Sequence, residues 1–279
     1  MNFLIMDNLV ARYVKEWQLH SPQLLTETKT SILYKVRSRG NIVVLKLLKS
    51  AGINDEKNGA MALRYFNGQS AIRLYRCDEN AMLIEYVDGE SLSSLVERGD
   101  DEKAMEIIAE ILNNLHAANP IYESTSFMPL QIRFSSLFEK AANEHSCSDS
   151  IYVRAASCAK ELLATSEGNT VLHGDIHHDN IRFSSLRGWL AMDPKGLIGD
   201  RAYDAANIFL NPWHLTAIVE DSQRIRTCGK VLARKMDLEL SRVLRYAFVH
   251  AALSASWELE DGDDPSHAMA VAGLIESCF

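Results

Sequence analysis

The sequence predicts an α+β fold of two lobes, a small antiparallel β lobe at the N-terminus and a larger, mainly helical lobe at the C-terminus. Strand-forming runs separated by short turns dominate up to residue 87, and helical periodicity dominates from there on. With 279 residues, 47% of them hydrophobic, the chain can bury a sizeable core. We therefore expect one domain over residues 1–87 and a second over residues 88–279.

Two hairpins, with a helix between them, form the centre of the predicted N-terminal lobe. The strands are rich in β-branched and large apolar residues, and polar turns join them. The predicted strands cover residues 31–36, 41–48, 70–77 and 80–87. Residues 54–66 carry apolar side chains at helical spacing. Ahead of them we expect a short helix over residues 7–17 and a break at Ser21-Pro22.

The C-terminal lobe is predicted to be built from helices. Their apolar side chains recur on one stripe, as in the helix that stops before Asn119-Pro120. The predicted helices cover residues 91–98, 102–117, 130–145, 150–165, 222–236, 239–260 and 265–277. Asp200 opens a further helix that runs to Phe209.

Charge and cysteine usage narrow the class of protein. The net charge of −8 at pH 7 argues against a nucleic-acid partner and suits a cationic ligand, although it would serve solubility equally well. The five cysteines are scattered and form no Cys-x-x-Cys pair, which favours reduced thiols. No signal peptide or membrane-spanning run is evident, so we expect a cytoplasmic protein without membrane contact.

The chemistry of the chain is concentrated in residues 171–193. His173 stands two residues before Asp175, four residues separate Asp175 from Asn180, and an apolar run leads to Asp193. Phosphoryl transfer from ATP needs one carboxylate to orient the attacking hydroxyl, and an amide oxygen and a second carboxylate to hold Mg²⁺. Kinase catalytic loops use the same interval. The alternative is a polar hairpin whose side chains serve turn chemistry.

Three runs, HGDIHHDNIRFSS, RGWLAMDPKGLIGD and SASWELEDG, resemble the aminoglycoside/hydroxyurea antibiotic-resistance kinase family, streptomycin 6-kinase type. The resemblance covers most of the chain and implies a bilobal protein-kinase-like fold. It implies an ATP-dependent O-phosphotransferase that uses ATP or GTP with Mg²⁺, acts on a hydroxyl of a streptomycin-like aminoglycoside and confers resistance. The glycine-rich phosphate loop of protein kinases is absent, because residues 28–31 contain no glycine.

The resemblance assigns the catalytic and phosphate-binding roles. Asp175 would orient the substrate hydroxyl and accept its proton, while Asn180 and Asp193 would hold Mg²⁺. Lys46, among apolar neighbours in a strand, would bind the α- and β-phosphates and pair with Glu56. Two alternatives stay open, namely a lysine that protects an exposed strand edge and a pairing with Asp55 instead of Glu56.

Further residues would support the nucleotide and the catalytic loop. The 28–31 loop would contact the phosphates through hydroxyls and amides, with Ser31 as the candidate. The backbone of Glu85 and Val87 would bond adenine. His173 would pack and orient the catalytic loop, and Asp204 would brace that loop from below.

The substrate side is predicted from charge. Five carboxylates occur between Glu258 and Asp264, which suits a small cationic aminocyclitol, and Trp257 offers a face for a guanidinium. Asp200 is a further candidate substrate residue. The alternatives are a solvated charged loop for the acidic run and helix capping for both Asp200 and Asp204.

Two competing functions remain open at this stage. One is a kinase of another small hydroxylated metabolite, such as hydroxyurea, choline, homoserine or a sugar, which would share every catalytic residue. The other is a kinase-like binding protein without turnover, which Lys46, Asp175, Asn180 and Asp193 argue against. We expect a monomer. His177 and His178 carry no assigned role.

Overall fold

The N-terminal lobe is a five-stranded antiparallel sheet in the order β1-β2-β3-β5-β4. In the computed structural model, the described part of the chain comprises residues 3–50, 53–118, 127–144, 149–166 and 168–279. The strands are β1 (His20–Glu27), β2 (Ser31–Ser38), β3 (Asn41–Leu48), β4 (Leu74–Cys77) and β5 (Ala81–Glu85). Two helices accompany them, α1 (Phe3–Glu16) and α2 (Ile53–Phe66).

Strand β3 is buried on both faces, and its alternation decides where Lys46 points. Val43, Leu45 and Leu47 belong to the small core that α1 covers through Val10 and Tyr13. Successive side chains of a strand point to opposite faces. Lys46 therefore lies on the other face of the sheet, with Val44 and Leu48, which belong to the main core of the C-terminal lobe.

The C-terminal lobe is mainly helical. Its helices are α3 (Ser93–Glu97), α4 (Asp101–His116), α5 (Leu130–Arg133), α6 (Ser135–Asn143), α7 (Ile151–Ala164), α8 (Thr216–Val219), α9 (Ser222–Met236), α10 (Leu240–Asp261) and α11 (Ser266–Glu276). Two 3₁₀ helices cover His178–Asn180 and Arg201–Leu210. Most side chains of the long helix α10 between Val243 and Ser256 are buried, so this helix forms the centre of the lobe.

Five short strands position the loops of the C-terminal lobe. They are β6 (Met128–Pro129), β7 (Thr170–Leu172), β8 (Ile181–Ser184), β9 (Gly188–Ala191) and β10 (Leu197–Gly199). Strands β8 and β9 form an antiparallel hairpin, while β10 lies between β6 and β7. The ends of β7 and β9 deliver the segments that begin at His173 and Met192.

Several predicted boundaries are wrong. Ser21-Pro22 is not a break but part of β1, an edge strand, where a proline is tolerated because its missing N–H faces no partner strand. Residues 70–73 precede β4 rather than belonging to it, and 130–145 splits into α5 and α6 at Phe134. The helix predicted over residues 239–260 is confirmed as α10, which continues to Asp261 and makes the start of the acidic run helical.

The architecture confirms the predicted α+β class with an antiparallel N-terminal sheet and a helical C-terminal part. The sheet ends at Glu85, two residues before the boundary expected at residue 87; the division into 1–87 and 88–279 stays a prediction. Within the described ranges, none of the helices has the length and apolar character needed to cross a membrane.

Candidate active site

Asp204 fixes the start of the catalytic loop. Its two carboxylate oxygens accept hydrogen bonds from the backbone N–H groups of His173, at 2.8 Å, and Gly174, at 2.6 Å. His116 Nε2 lies 2.9 Å from the same carboxylate. Asp204 is 2% exposed, so these bonds work in a medium that strengthens charge-assisted contacts. The position agrees with the bracing role expected for Asp204.

His173 connects the loop to the segment that carries Asp193. Its Nδ1 accepts from the N–H of Asp175 at 3.3 Å, and its Nε2 lies 3.1 Å from the carbonyl oxygen of Met192. This pattern requires a neutral ring with the proton on Nε2. Full burial lowers the pKa of His173, which keeps the ring neutral. His173 therefore links the loop to the segment that carries Asp193, and its orienting role stays a prediction.

The carboxylate of Asp175 is oriented by amides. Asn207 Nδ2 donates to Asp175 Oδ1 at 2.9 Å. Asn180 Nδ2 donates to the Asp175 carbonyl at 3.0 Å and approaches its Oδ2 at 3.5 Å. Asn207 was not among the residues predicted for the site. One signal could have found it, because Asn207 follows Asp204 by three residues, the spacing that places two side chains on one face of a helix.

Lys46 joins the two lobes at this loop. Its Nζ lies 2.6 Å from Glu56 Oε2 on α2 and 2.5 Å from Asp193 Oδ1. The side chains of Lys46 and Glu56 are each 7% exposed. The expected pair with Glu56 is thus present, and the side chain of Asp55, the alternative partner, lies outside the described residues. Thr30 Oγ1 donates to Glu56 Oε1 at 3.1 Å, which ties the 28–31 turn to the same pair.

A second lysine, Lys195, stands beside Asp193. Its Nζ lies 3.2 Å from Asp193 Oδ2 and 3.5 Å from Asp175 Oδ2. Burial alone would lower the pKa of Lys195, but Asp193 and Asp175 raise it well above its usual range, so the ammonium stays charged. Burial would likewise raise the pKa of Asp193, but Lys46 and Lys195 hold it well below its usual range. Lys195 was not among the residues predicted for the site.

Two glycines let helix α2 approach the Asp193 segment. A Cβ on Gly59 would stand 2.3 Å from the carbonyl oxygen of Pro194, and a Cβ on Gly196 would stand 2.3 Å from that of Asn58. Gly196 has φ +64°, and Asp193 itself has φ +60°, an uncommon conformation for a residue with a side chain. The close approach fixes the distance between α2 and Asp193.

Of the residues expected to contact the nucleotide, Ser31 does not face the cleft. It is 2% exposed, and its N–H donates to Thr28 Oγ1 at 3.0 Å, so it closes the turn. The phosphate-binding role expected for Ser31 is therefore wrong. Hydroxyl bonding of this kind holds the turn without a glycine. The N–H of Glu85 donates to Arg73, which leaves its carbonyl as the candidate for adenine. Val87 N–H has no backbone acceptor within the described ranges.

Two expected substrate residues have internal partners instead. Asp200 caps the 3₁₀ helix by accepting from the N–H of Ala202 at 2.9 Å, and Arg242 Nε donates to its other oxygen at 2.6 Å. Both oxygens are used, which matches the capping alternative. Trp257 already carries a guanidinium, because Arg133 Cζ lies 4.2 Å from its ring centroid. These contacts correct the substrate roles expected for Asp200 and Trp257.

The acidic run lies beside the turn between β1 and β2. Lys29 Nζ is 3.1 Å from Asp261 Oδ2 and 3.6 Å from Asp263 Oδ2. Glu258 differs from these exposed groups, since its Oε2 is buried without a hydrogen-bond partner in the described part of the chain. Burial raises the pKa of Glu258. Its substrate role stays a prediction.

The residues present fit a magnesium ion. Asn180 offers an amide oxygen and Asp193 a carboxylate, the hard oxygen donors that Mg²⁺ takes together with phosphate and water. Among the described residues, no three His, Cys, Asp or Glu side chains are grouped to hold a metal by themselves. His178 is fully buried, and neither ring nitrogen has a hydrogen-bond partner among the described residues, so it is no ligand facing the cleft.

The lysine–glutamate pair of the β lobe faces the loop that carries Asp175 and Asn180 and the strand end that carries Asp193. This arrangement is the one that kinases of the protein-kinase-like fold use, and we therefore place the protein among the small-molecule kinases. A family model described as aminoglycoside/hydroxyurea antibiotic resistance kinase matches residues 16–262. The chain belongs to this family, as its sequence motifs indicated.

Relatives and solved structures agree with this assignment. Streptomycin 3''-kinase of Klebsiella pneumoniae is 34% identical over 255 residues, which are 89% of this chain and 92% of the relative. Streptomycin 6-kinase of Streptomyces griseus is 29% identical over 91% of this chain and 83% of its own length. An aminoglycoside phosphotransferase APH(4)-Ia in ternary complex with ADP and hygromycin B superposes with a TM-score of 0.66, 15% identity and 96% coverage of both chains. That structure confirms the bilobal kinase-like fold.

Proposed function

We propose that this protein transfers the γ-phosphoryl group of ATP to a hydroxyl of a streptomycin-like aminoglycoside and thereby confers resistance. The observation that carries the proposal is the 2.5 Å contact between Lys46 and Asp193, with Asp175 linked to the same carboxylate through Lys195. Two streptomycin kinases among the relatives support the choice of acceptor.

The transferred phosphoryl group passes through a loose transition state, so catalysis consists of positioning and charge neutralisation. Asp175, oriented by Asn207, accepts the proton of the attacking hydroxyl. Lys46, held by Glu56, binds the α- and β-phosphates. Asn180 and Asp193 would hold Mg²⁺, which neutralises phosphate charge when bound.

The acceptor would lie on the side of Asp175 that faces the C-terminal helices. The acidic run at the end of α10 supplies negative charge there, and an acidic surface concentrates a cationic substrate. We also propose that the protein uses ATP rather than GTP together with Mg²⁺. We propose further that it is a monomer and lies in the cytoplasm. Glu85 and Val87 would bind the base through backbone groups.

The test is an acceptor panel. Purified protein is incubated with Mg·ATP and, in turn, streptomycin, hygromycin B, hydroxyurea, choline and homoserine, and ADP release is followed. We expect the highest kcat/KM with streptomycin, and expression of the chain should protect sensitive cells against this antibiotic. Release driven by choline, homoserine or hydroxyurea alone would overturn the acceptor class. Nucleotide binding without release for any acceptor would favour the non-catalytic reading.

A further inference from the structure

Lys195 lies between the two carboxylates that flank the reaction path. Its Nζ contacts Asp175 Oδ2 at 3.5 Å on the acceptor side and Asp193 Oδ2 at 3.2 Å on the metal side. In the part of the chain that the structure describes, no other lysine or arginine forms an ion pair with Asp175. If Asp175 serves the acceptor and Asp193 the metal, an atom in contact with both would lie next to the transferred phosphoryl group.

The main chain holds Lys195 in this place. Its N–H donates to the carbonyl oxygen of His173 at 2.7 Å, so the residue is tied to the catalytic loop. The following Gly196 packs directly against the carbonyl of Asn58 in α2. The side chain is 25% exposed. A fixed backbone and partial burial reduce the conformational entropy that a lysine loses when it binds a ligand.

Neither carboxylate needs Lys195 for its position. Asp175 Oδ1 is already held by Asn207 at 2.9 Å, and Asp193 Oδ1 by Lys46 at 2.5 Å. Lys195 is therefore a second ammonium beside Lys46 that can neutralise a ligand bringing further negative charge into the cleft.

We propose that Lys195 is a catalytic residue that binds the oxygens of the transferred phosphoryl group. The inference rests on the proposed function. Lys46 reaches the α- and β-phosphates from the sheet, whereas Lys195 reaches the γ-phosphoryl group from the C-terminal lobe. This places one cation on each side of the bond that breaks.

In the step itself, the bond between the γ-phosphorus and the β–γ bridging oxygen breaks, and its electron pair leaves with ADP. A bond forms between the acceptor oxygen and the γ-phosphorus, and the hydroxyl proton passes to Asp175. Lys195 keeps its protons and neutralises charge on the three equatorial oxygens, as donors preorganised for a transition state do.

The test compares two nucleotides that differ by the γ-phosphate. Calorimetry measures the affinity for Mg·AMP-PNP and for Mg·ADP in wild type, Lys195→Met and Lys46→Met. We expect Lys195→Met to weaken AMP-PNP binding by about tenfold or more and to leave ADP binding within about twofold. Lys46→Met should weaken both. A residue that only positions the two carboxylates would not separate the two nucleotides.

Turnover gives a second readout. With the acceptor identified by the panel, Lys195→Met should lower kcat by about 100- to 1,000-fold, the cost of removing one preorganised donor. Lys195→Arg keeps the charge and should recover part of this loss. The matched control is Lys235→Met on α9, a lysine 43% exposed whose Nζ lies 2.8 Å from Glu106, which should leave both affinities and kcat unchanged.

The outcomes separate this inference from the proposed function. Equal loss of AMP-PNP and ADP affinity in Lys195→Met, or no loss of either, overturns the role of Lys195. Should that variant fail to fold in a melting experiment, Lys195→Gln, which also removes the charge but keeps a polar side chain, is titrated instead, and an unchanged ratio of the two affinities overturns the role equally. A wild-type protein that binds neither nucleotide would overturn the proposed function itself.

Discussion

The close packing of α2 against the segment that carries Asp193 can be tested with one substitution. In Gly59→Ala the new methyl group would stand 2.3 Å from the carbonyl oxygen of Pro194, where ordinary contact begins at 3.4 Å. The obstacle is backbone, so no side chain can rotate away. Helix α2 must withdraw by about 1 Å, and Glu56, 2.6 Å from Lys46 on the same helix, withdraws with it.

The Gly59→Ala substitution should lower both the free energy of unfolding and the catalytic rate. Forcing one methyl group into a packed interior destabilises a protein by about 1–3 kcal/mol. Misplacing a catalytic group by about 1 Å costs about 100-fold in rate. We therefore expect Gly59→Ala to lose about 1–3 kcal/mol in urea denaturation and about 100-fold in kcat/KM for ATP, measured with the acceptor identified by the panel.

Gly273→Ala is the matched control. Gly273 lies inside helix α11, and a Cβ there would meet no atom within 4 Å. Alanine in a helix is favoured over glycine by about 0.5–1 kcal/mol, so this variant should be slightly more stable and fully active. Wild-type activity and stability in Gly59→Ala would refute the claim that α2 is fixed against the Asp193 segment.

Two further predictions concern buried groups. In Asp204→Asn, the NH₂ group would oppose one of the two backbone N–H donors of His173 and Gly174, so we expect a loss of about 3 kcal/mol in urea denaturation; unchanged stability would contradict the bracing role. Burial lowers the pKa of His250 to about 3, so the folded protein keeps it neutral while the unfolded chain binds a proton below about pH 6.5. The free energy of unfolding should therefore fall by about 2 kcal/mol between pH 7 and pH 5 through this residue. In His250→Asn the fall should be smaller by that amount, and the amide oxygen can replace Nδ1 as the acceptor from Tyr203. Equal slopes of unfolding free energy against pH in the two proteins would refute the assignment.

The catalytic loop could be predicted because its chemistry is local. Asp175, Asn180 and Asp193 lie within twenty residues of one another, and a short hairpin brings them together. The β2–β3 hairpin was equally predictable, since Arg39-Gly40 supplies two residues with positive φ at its turn. Lys46 could then be placed by strand alternation alone.

The residues that were missed or misassigned depend on distant partners. Lys195 contacts Asp175 from a segment in which Asp193 and Gly196 both adopt positive φ, which spacing does not reveal. Trp257 looked available because nothing in the sequence brings Arg133, more than a hundred residues earlier, onto its ring. Asp200 looked available for the same reason, because nothing in the sequence shows that Arg242 pairs with its carboxylate.

On the proposed function, the γ-phosphoryl group leaves ATP and arrives on an aminoglycoside hydroxyl with Asp175 as the base. The most direct measurement is mass spectrometry of streptomycin incubated with Mg·ATP and either wild type or Asp175→Ala, with ADP quantified in parallel. The account predicts one phosphoryl group added per ADP released by the wild type, and almost no product from Asp175→Ala, which should still bind nucleotide. ADP release without phosphorylated streptomycin, or product from Asp175→Ala at the wild-type rate, would contradict it.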